Sequence, residues 1–176
     1  MENHKLDRRT FVKAGSLAGL SLLVNPFDVF AEQNLGKRIG IIGLDTSHSL
    51  AFAKLLFEAQ SEYNGYKVTA AYPFGSKELA LSKERIPLQI AEIKKYNVKV
   101  VDSIAALLKE VDVVLLETND GRLHLEQALE VIKAKKTLFI DKPMAASLKD
   151  AIAIFKAAEQ YQVPVFSSSS LRFMTA

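Results

Sequence analysis

A lysine lies directly beyond a short apolar run, in a place where an amine can move or orient a proton. Residues 137–140 read Thr-Leu-Phe-Ile and are followed by Asp141, Lys142 and Pro143. An unbroken apolar run of this length is typical of a strand buried on both faces, and the proline ends it. The amine is therefore predicted beyond the carboxyl end of an inner strand, where open α/β sheets bind their ligands. The alternative is an ordinary solvated lysine in a loop.

Carboxylates and imidazoles follow three of the predicted strands and are expected to face one crevice. They are Asp45, His48, Glu117, Asp120, His124 and Asp141. Two histidines with several carboxylates could bind a divalent metal. The alternative is that these groups cap helices and make local hydrogen bonds, because no two of them have metal-ligand spacing within one element. We therefore predict no metal site.

The elements that would position these groups alternate between strand and helix. Strands are predicted at residues 38–42, 66–72, 98–101, 111–117, 137–140 and 163–167. Helices are predicted at residues 47–59, 77–96, 103–109, 122–134 and 147–161. Ser47 and Ser147 are cap candidates, and Pro87 is expected to break the second helix. This order predicts an α/β fold with a doubly wound parallel sheet, Rossmann-like, and helices on both faces. The first and fourth strands are then central neighbours, and their carboxyl ends form the crevice.

Several short motifs occur in order along the chain. They are Ile39-Gly40-Ile41-Ile42-Gly43, a late His124, Asp141-Lys142-Pro143 and Ser147-Leu148. Together they resemble the N-terminal nucleotide-binding domain of the Gfo/Idh/MocA oxidoreductases, and the resemblance covers residues 36–173. It implies that Lys142 is catalytic and contacts the nicotinamide ribose and the reacting sugar hydroxyl, with Asp141 replacing the usual glutamate. The cofactor-binding residues are then expected to be Gly43, Asp45, Thr46, Ser47, His48, Thr118, Asn119, His124, Asp141, Lys142 and Pro143.

The turn after the first strand departs from the family pattern. A dinucleotide turn normally reads Gly-x-Gly-x-x-Gly, whereas the segment from Gly43 to His48 keeps only the first glycine. Asp45 replaces the glycine that lets the backbone approach the pyrophosphate. At ~5 Å and an effective dielectric of ~20, its carboxylate would repel each phosphate charge by roughly 3 kcal/mol, which predicts weak or absent dinucleotide binding. Asp45 could instead turn outward or cap the first helix.

The segment after the second strand bears on the choice of cofactor. It offers no acidic side chain for a ribose 2′-hydroxyl, the partner that NAD usually finds there. Ser76 and Lys77 could suit a 2′-phosphate, so the expected cofactor is NAD or NADP. The alternative for these two residues is a polar turn, which we favour slightly.

Residues 1–31 have the features of a twin-arginine signal peptide. Arg8 and Arg9 precede an apolar run at residues 14–24, which is shorter than the roughly 20 residues that span a bilayer. A small-residue cleavage site is plausible at residues 29–31. The chain has no cysteine, which excludes a lipoprotein anchor. We therefore expect contact with the twin-arginine export machinery, a periplasmic or exported location and no stable membrane anchor, in place of a disordered basic tail.

Composition excludes several other functions. A net charge of +3, without a basic run that contains aromatics, argues against nucleic acid as a partner. The lack of cysteine excludes disulfides, thiol catalysis and cysteine-ligated zinc.

The resemblance implies hydride transfer between nicotinamide and a sugar or cyclitol. The family's C-terminal substrate domain, which usually supplies the dimer surface, is expected to be absent, so residues 32–176 alone should turn over no sugar. A homo-oligomer is expected only of a longer form. The alternatives are a non-catalytic Rossmann-like domain that has lost cofactor binding, favoured by Asp45 and His48, and an NAD-dependent glycoside-cleaving relative.

Overall fold

The computed structural model describes residues 36–169, which form six parallel strands in the order β3-β2-β1-β4-β5-β6. The strands are β1 Arg38–Ile42, β2 Lys67–Tyr72, β3 Lys99–Val100, β4 Val113–Leu116, β5 Thr137–Ile140 and β6 Val165–Ser167. The helices are α1 Ser47–Glu58, α2 Ala80–Ile93, α3 Ile104–Glu110, α4 His124–Lys133 and α5 Leu148–Tyr161, with a short 3-10 helix at Lys94–Tyr96. The predicted fold class is confirmed.

The strand order reverses between β1 and β4, which are hydrogen-bonded neighbours at the centre of the sheet. Ile39 is in register with Val113 and Ile42 with Leu116. Beyond the paired residues, the Glu117 N–H donates to Ile42 O at 2.7 Å and the Asp141 N–H donates to Leu116 O at 2.9 Å. The ladder therefore extends one residue past β4 and past β5, which fixes the backbone of both acidic residues at the carboxyl edge.

Each face of the sheet has its own apolar core. On one face, α3, α4 and α5 bury residues such as Leu107, Val131 and Ile154 against β1, β4 and β5. On the other face, Ala53 and Leu56 of α1 pack with residues of β1, β2 and the end of α2. From the central pair β1 and β4, the chain moves outward toward the two opposite edges of the sheet. Right-handed crossovers in these two directions place helices on both faces.

Two helix boundaries show how well local signals specified the chain. Ser147 caps α5, and its hydroxyl accepts the Asp150 N–H at 3.1 Å, as the capping-box spacing predicts. At α1 the cap is Thr46 rather than Ser47, since the Thr46 hydroxyl accepts the His48 N–H at 3.0 Å. The predicted start of α1 at Ser47 was correct, and only the cap was assigned one residue late.

The expectation that Pro87 breaks the second helix was wrong. Helix α2 runs from Ala80 through Pro87 to Ile93. A proline cannot donate a hydrogen bond to the carbonyl four residues earlier, which here belongs to Lys83. Both residues are exposed, so water can solvate that carbonyl and the helix continues.

The predicted signal peptide at residues 1–31 lies outside the described residues, as do residues 170–173 of the expected domain. Within residues 36–169, the structure contains no helix with the length and apolar character needed to cross a membrane.

Candidate functional site

The turn after β1 is built around a glycine that no other residue could replace without strain. Gly43 has a φ of +92°, and a Cβ there would lie 2.6 Å from the backbone N and Cα of Thr118. The Gly43 N–H donates to Tyr72 O at 2.8 Å, which ties the turn to β2. The loops that follow β1 and β4 are therefore in direct backbone contact at the carboxyl edge.

Asp45 neither turns outward nor caps α1. Its side chain is fully buried, and its Oδ2 accepts the Ser82 hydroxyl at 2.7 Å while its Oδ1 accepts the Asn119 N–H at 3.0 Å. A Cβ on Gly75 would lie 2.3 Å from Asp45 Oδ2, so the loop after β2 closes over this carboxylate. The side chain joins three segments of the fold and is directed toward α2 and the loop after β4.

The first turn of α1 is exposed at the same edge. Ser47 is exposed, whereas Ser49 is buried and donates from its hydroxyl to Gly43 O at 2.9 Å. The Thr118 hydroxyl is buried beside this turn and has no hydrogen-bond partner among the described residues. A helix N-terminus attracts phosphate, and an unsatisfied hydroxyl offers it a further partner. With Asp45 held inward, the residues at this turn fit a dinucleotide.

A set of mutually satisfied polar groups lies on the β2 side of the edge. This β2-side cluster contains Asp45, Ser82, Glu78, Asp120 and Arg122. Arg122 bonds both oxygens of Asp120, at 2.9 Å and 2.6 Å, and forms an ion pair with Glu78 at 2.8 Å. The Arg122 guanidinium holds the pKa of Asp120 far below its usual range, because it stabilises the charged carboxylate.

Ser76, beside the β2-side cluster, is already engaged by the protein. It is buried, and its hydroxyl accepts the N–H groups of Glu78 and Leu79 at 3.3 Å and 3.4 Å. Lys77 is exposed. Ser76 thus forms a polar turn, as favoured from the sequence.

His124 holds two loops together from the interior. It is fully buried at the start of α4, and its Nε2 bonds Thr118 O at 2.6 Å while its Nδ1 lies 3.3 Å from Met144 O. One contact reaches the loop after β4 and the other reaches the loop after β5. This geometry matches the structural alternative for His124.

The groups on the β5 side form the β5-side cluster, which consists of His48, Glu117, Asp141 and Lys142. His48 Nδ1 and Asp141 Oδ2 are 2.7 Å apart, with the His48 side chain 41% exposed and that of Asp141 only 7%. Lys142 is exposed and Pro143, joined to it by a cis peptide bond, is also exposed. A cavity of about 410 Å³ opens beside His48 and Asp141 and is lined by Phe52 and Phe139.

Glu117 is the least compensated group in the β5-side cluster. It is fully buried, and neither of its carboxylate oxygens has a hydrogen-bond partner among the described residues. Burial, and to a lesser degree the charge of Asp141, raises the pKa of Glu117 to about 8, while the charge of Lys142 acts in the opposite direction. The carboxyl group is therefore close to its point of ionisation near neutral pH.

Sequence reasoning placed Glu117 in the crevice but not among the site residues. The sequence does contain the information needed to include Glu117, because a carboxylate directly after the apolar run of β4 must lie at the carboxyl edge. Of the predicted site residues, the structure brings His48, Asp141 and Lys142 together. Gly43, Thr46, Ser47 and Thr118 lie around the first turn of α1, and Asp45, Asn119 and His124 serve as internal links between loops.

Comparisons with known proteins agree with this architecture. A search of curated proteins finds no match. A probable dehydrogenase from Thermotoga maritima is 25% identical and superposes with a TM-score of 0.58, covering 77% of this chain and 37% of its own. A UDP-N-acetylglucosamine 3-dehydrogenase from Acidithiobacillus ferrooxidans is 22% identical, with a TM-score of 0.55 over 74% of this chain and 36% of its own.

A 3-ketoreductase from Actinomadura kijaniata, solved with TDP-benzene and NADP, is 21% identical. It superposes with a TM-score of 0.55 over 75% of this chain and 38% of its own. This chain therefore spans little more than a third of the length of these relatives.

The model of the oxidoreductase family with an NAD-binding Rossmann fold, Gfo/Idh/MocA, matches residues 37–169. Because this family is described by an NAD-binding Rossmann fold, the match confirms the predicted class of cofactor, NAD or NADP. Because the match covers most of the sequence, the chain belongs to the Gfo/Idh/MocA oxidoreductase family.

Proposed function

We propose that this chain is the nucleotide-binding part of an exported oxidoreductase that transfers hydride between nicotinamide and a hydroxyl-bearing carbon of a sugar or cyclitol. The observation that carries the proposal is the position of Lys142, which follows β5 at the carboxyl edge and is exposed there. The bound cofactor would accept or supply the hydride. The protein's own task is then to bind the nucleotide, orient the substrate hydroxyl and move its proton.

The residues around the first turn of α1 have the first of these tasks. The Gly43 turn and the N-terminus of α1 would hold the pyrophosphate, and the orphaned hydroxyl of Thr118 would bond the nucleotide. Lys142 would donate to the nicotinamide ribose and polarise or deprotonate the substrate hydroxyl. Asp141 is held by His48 and thereby positions the loop that carries the lysine.

Titration with NADH and NADPH, followed by nicotinamide fluorescence, tests the binding part of this proposal. A charge-assisted hydrogen bond contributes about 1.5–3 kcal/mol, so Lys142→Met should weaken binding by roughly 10- to 100-fold. Lys156→Met is the matched control, since this exposed lysine lies in the middle of α5, and should leave affinity unchanged. Equal affinity of Lys142→Met and wild type would contradict the role given to Lys142.

Hydride transfer requires a sugar held against the nicotinamide, and such positioning supplies roughly 7–11 kcal/mol in well-oriented reactions. The proposal therefore expects turnover in a form that carries a substrate-binding region. In that form, Lys142→Met should abolish nicotinamide reduction by hexoses or inositols while Lys156→Met preserves it. Retained turnover in Lys142→Met would rule out the lysine as the group that handles the hydroxyl proton.

Export is proposed from Arg8 and Arg9 ahead of a short apolar run. A fusion of residues 1–36 to a folded reporter should reach the periplasm, and replacing both arginines by lysine should retain it in the cytoplasm. The replacement keeps the charge, so it separates recognition of the arginine pair from a general effect of basic residues. Equal periplasmic recovery of both fusions would refute export by this pathway.

A further inference from the structure

Three potential metal ligands converge at the carboxyl edge from three different elements. His48 comes from the first turn of α1, Glu117 follows β4 and Asp141 follows β5. One ligand atom of each residue lies within 4.8 Å of the other two. Spacing along the chain could not reveal this group, because no two members belong to one helix or strand.

The side chain of Glu117 is a second, independent observation. It is fully buried, it has no hydrogen-bond partner among the described residues, and its carboxylate lies within the same 4.8 Å group. Carboxyl groups buried away from water are normally hydrogen-bonded, paired with a charge or bound to a metal. Asp120 has such a partner within the chain, since Arg122 bonds both of its oxygens. For Glu117 a partner from outside the chain would complete the arrangement.

We propose that His48, Glu117 and Asp141 form a binding site for a divalent first-row transition cation. An imidazole favours ions such as Zn²⁺ and Fe²⁺, and carboxylates also accept Mn²⁺. With bonds of about 2.0–2.2 Å, tetrahedral ligands of zinc are about 3.4 Å apart. The widest separation in the group, at most 4.8 Å, must therefore shrink by up to about 1.4 Å, and the His48–Asp141 pair, 2.7 Å apart, must open by about 0.7 Å. His48 is half-exposed and can make this adjustment, with the cation taking the place of the proton between its Nδ1 and Asp141.

Lys142 is the rival partner for Glu117 within the chain. Its ammonium is close enough for its charge to favour ionised Glu117, but it is exposed and forms no hydrogen bond to that carboxylate. A cation bound by the three ligands would be repelled by this ammonium. If the proposal is right, removal of the lysine charge should therefore tighten cation binding. If Lys142 instead completes the site, its removal should abolish cation binding.

Three protein ligands leave at least one coordination position free, as in catalytic zinc sites. The cavity beside His48 and Asp141 gives a small molecule access to that position. The ligand class that suits it is a hydroxyl or carboxylate oxygen of a small molecule. This inference is independent of the proposed hydride transfer, because cation binding is measured without nucleotide or substrate.

The test is calorimetric titration of the tag-free full chain with Zn²⁺ and with Mn²⁺ after removal of metals by a chelator. We expect one equivalent of Zn²⁺ to bind, and Glu117→Gln and His48→Gln each to weaken it by at least roughly a hundredfold. Glu62→Gln removes an exposed carboxylate and His4→Gln removes the third histidine of the chain, so both should bind like wild type. Circular dichroism confirms that each variant is folded.

Co²⁺ supplies a readout that a merely structural role would not give. A bound ion with nitrogen and oxygen ligands should show visible d–d absorption, and this absorption should be lost in Glu117→Gln. Lys142→Met should bind Zn²⁺ at least as tightly as wild type. Absence of saturable binding, equal affinity in folded Glu117→Gln, loss of binding in either control, or loss of binding in Lys142→Met would each overturn the proposal.

Discussion

The two sides of the carboxyl edge treat buried carboxylates in opposite ways. In the β2-side cluster, Asp45 is fully buried, yet both of its oxygens accept hydrogen bonds from other segments. In the β5-side cluster, Glu117 is equally buried and both of its oxygens lack a partner among the described residues. Both carboxylates lie at the same edge of the same sheet and are equally buried. They differ in the hydrogen-bond partners that the chain provides.

This comparison separates structural charges from functional ones. A carboxylate that the protein itself satisfies holds loops together, as Asp45 and Asp120 do. A carboxylate that the protein buries without a partner is costly, and such groups concentrate where a ligand or a proton completes the arrangement. On this criterion the chemistry of the edge belongs to its β5 side.

The largest change in the free energy of unfolding is expected from Glu117→Gln in the presence of a chelator. The pKa of Glu117 lies near 8, above the ordinary value of 4.5, because burial disfavours its charge. The folded state therefore binds more protons than the unfolded state between these values, and wild-type stability falls as pH rises through this window. The full difference corresponds to up to about 5 kcal/mol.

Glutamine does not titrate, so the variant escapes this loss. Urea unfolding should show similar stabilities of variant and wild type near pH 4.5 and a growing advantage of Glu117→Gln up to pH 8. Titrating groups that do not interact with Glu117 affect both proteins alike and cancel in the difference. A wild type that is the more stable of the two at pH 8 would mean that the chain does satisfy Glu117, and the comparison would fail.

A smaller change, a loss of stability, is expected from Asp45→Ala. Removal of the carboxylate leaves the Ser82 hydroxyl and the Asn119 N–H buried without their acceptor, which should cost about 3 kcal/mol of unfolding free energy. Asp45→Asn retains one carbonyl acceptor and should cost less. If chemical denaturation gives Asp45→Ala the stability of wild type, the β2-side cluster is not held together by this carboxylate.

The smallest effect is expected at an exposed pair on the opposite, amino-terminal edge of the sheet. Arg38 bonds both oxygens of Asp112 at 3.0 Å and 2.9 Å, and lowers the pKa of Asp112 to about 2 from the ordinary 3.8. The stabilisation is present above pH 3.8 and is lost as pH falls toward 2. Because both side chains are well exposed, Asp112→Asn should change stability far less than Asp45→Ala. Thermal melts at pH 7 and pH 2 should show the small difference only at pH 7, and a difference of equal size at both would exclude this ion pair as its source.

Local signals predicted the sheet well and the site only in part. The bounds of β5 were correct, because an apolar run that ends at an acidic residue and a proline leaves little choice. The position of Lys142 followed directly from that strand. The fold class followed from the strict alternation of strands and helices, since right-handed crossovers restrict the possible sheets.

Side-chain partners that lie far apart in sequence could not be predicted. The inward turn of Asp45 depends on Ser82, which is 37 residues away and lies on a helix that was expected to break. The contacts of His124 depend on carbonyls whose direction is set by two loops. The approach of His48 to Asp141 joins residues 93 positions apart, and no local pattern encodes it.

The central pairing of β1 with β4 also governs when this fold can form. These strands are 74 residues apart in sequence, so the middle of the sheet cannot close until the ribosome has released β4. Contacts of such long range require loop closure before they stabilise anything, and they slow folding relative to helical or hairpin proteins. During synthesis, β1, β2 and β3 are therefore released as an incomplete sheet, in which the edge of β1 and its apolar residues stay uncovered until β4 emerges.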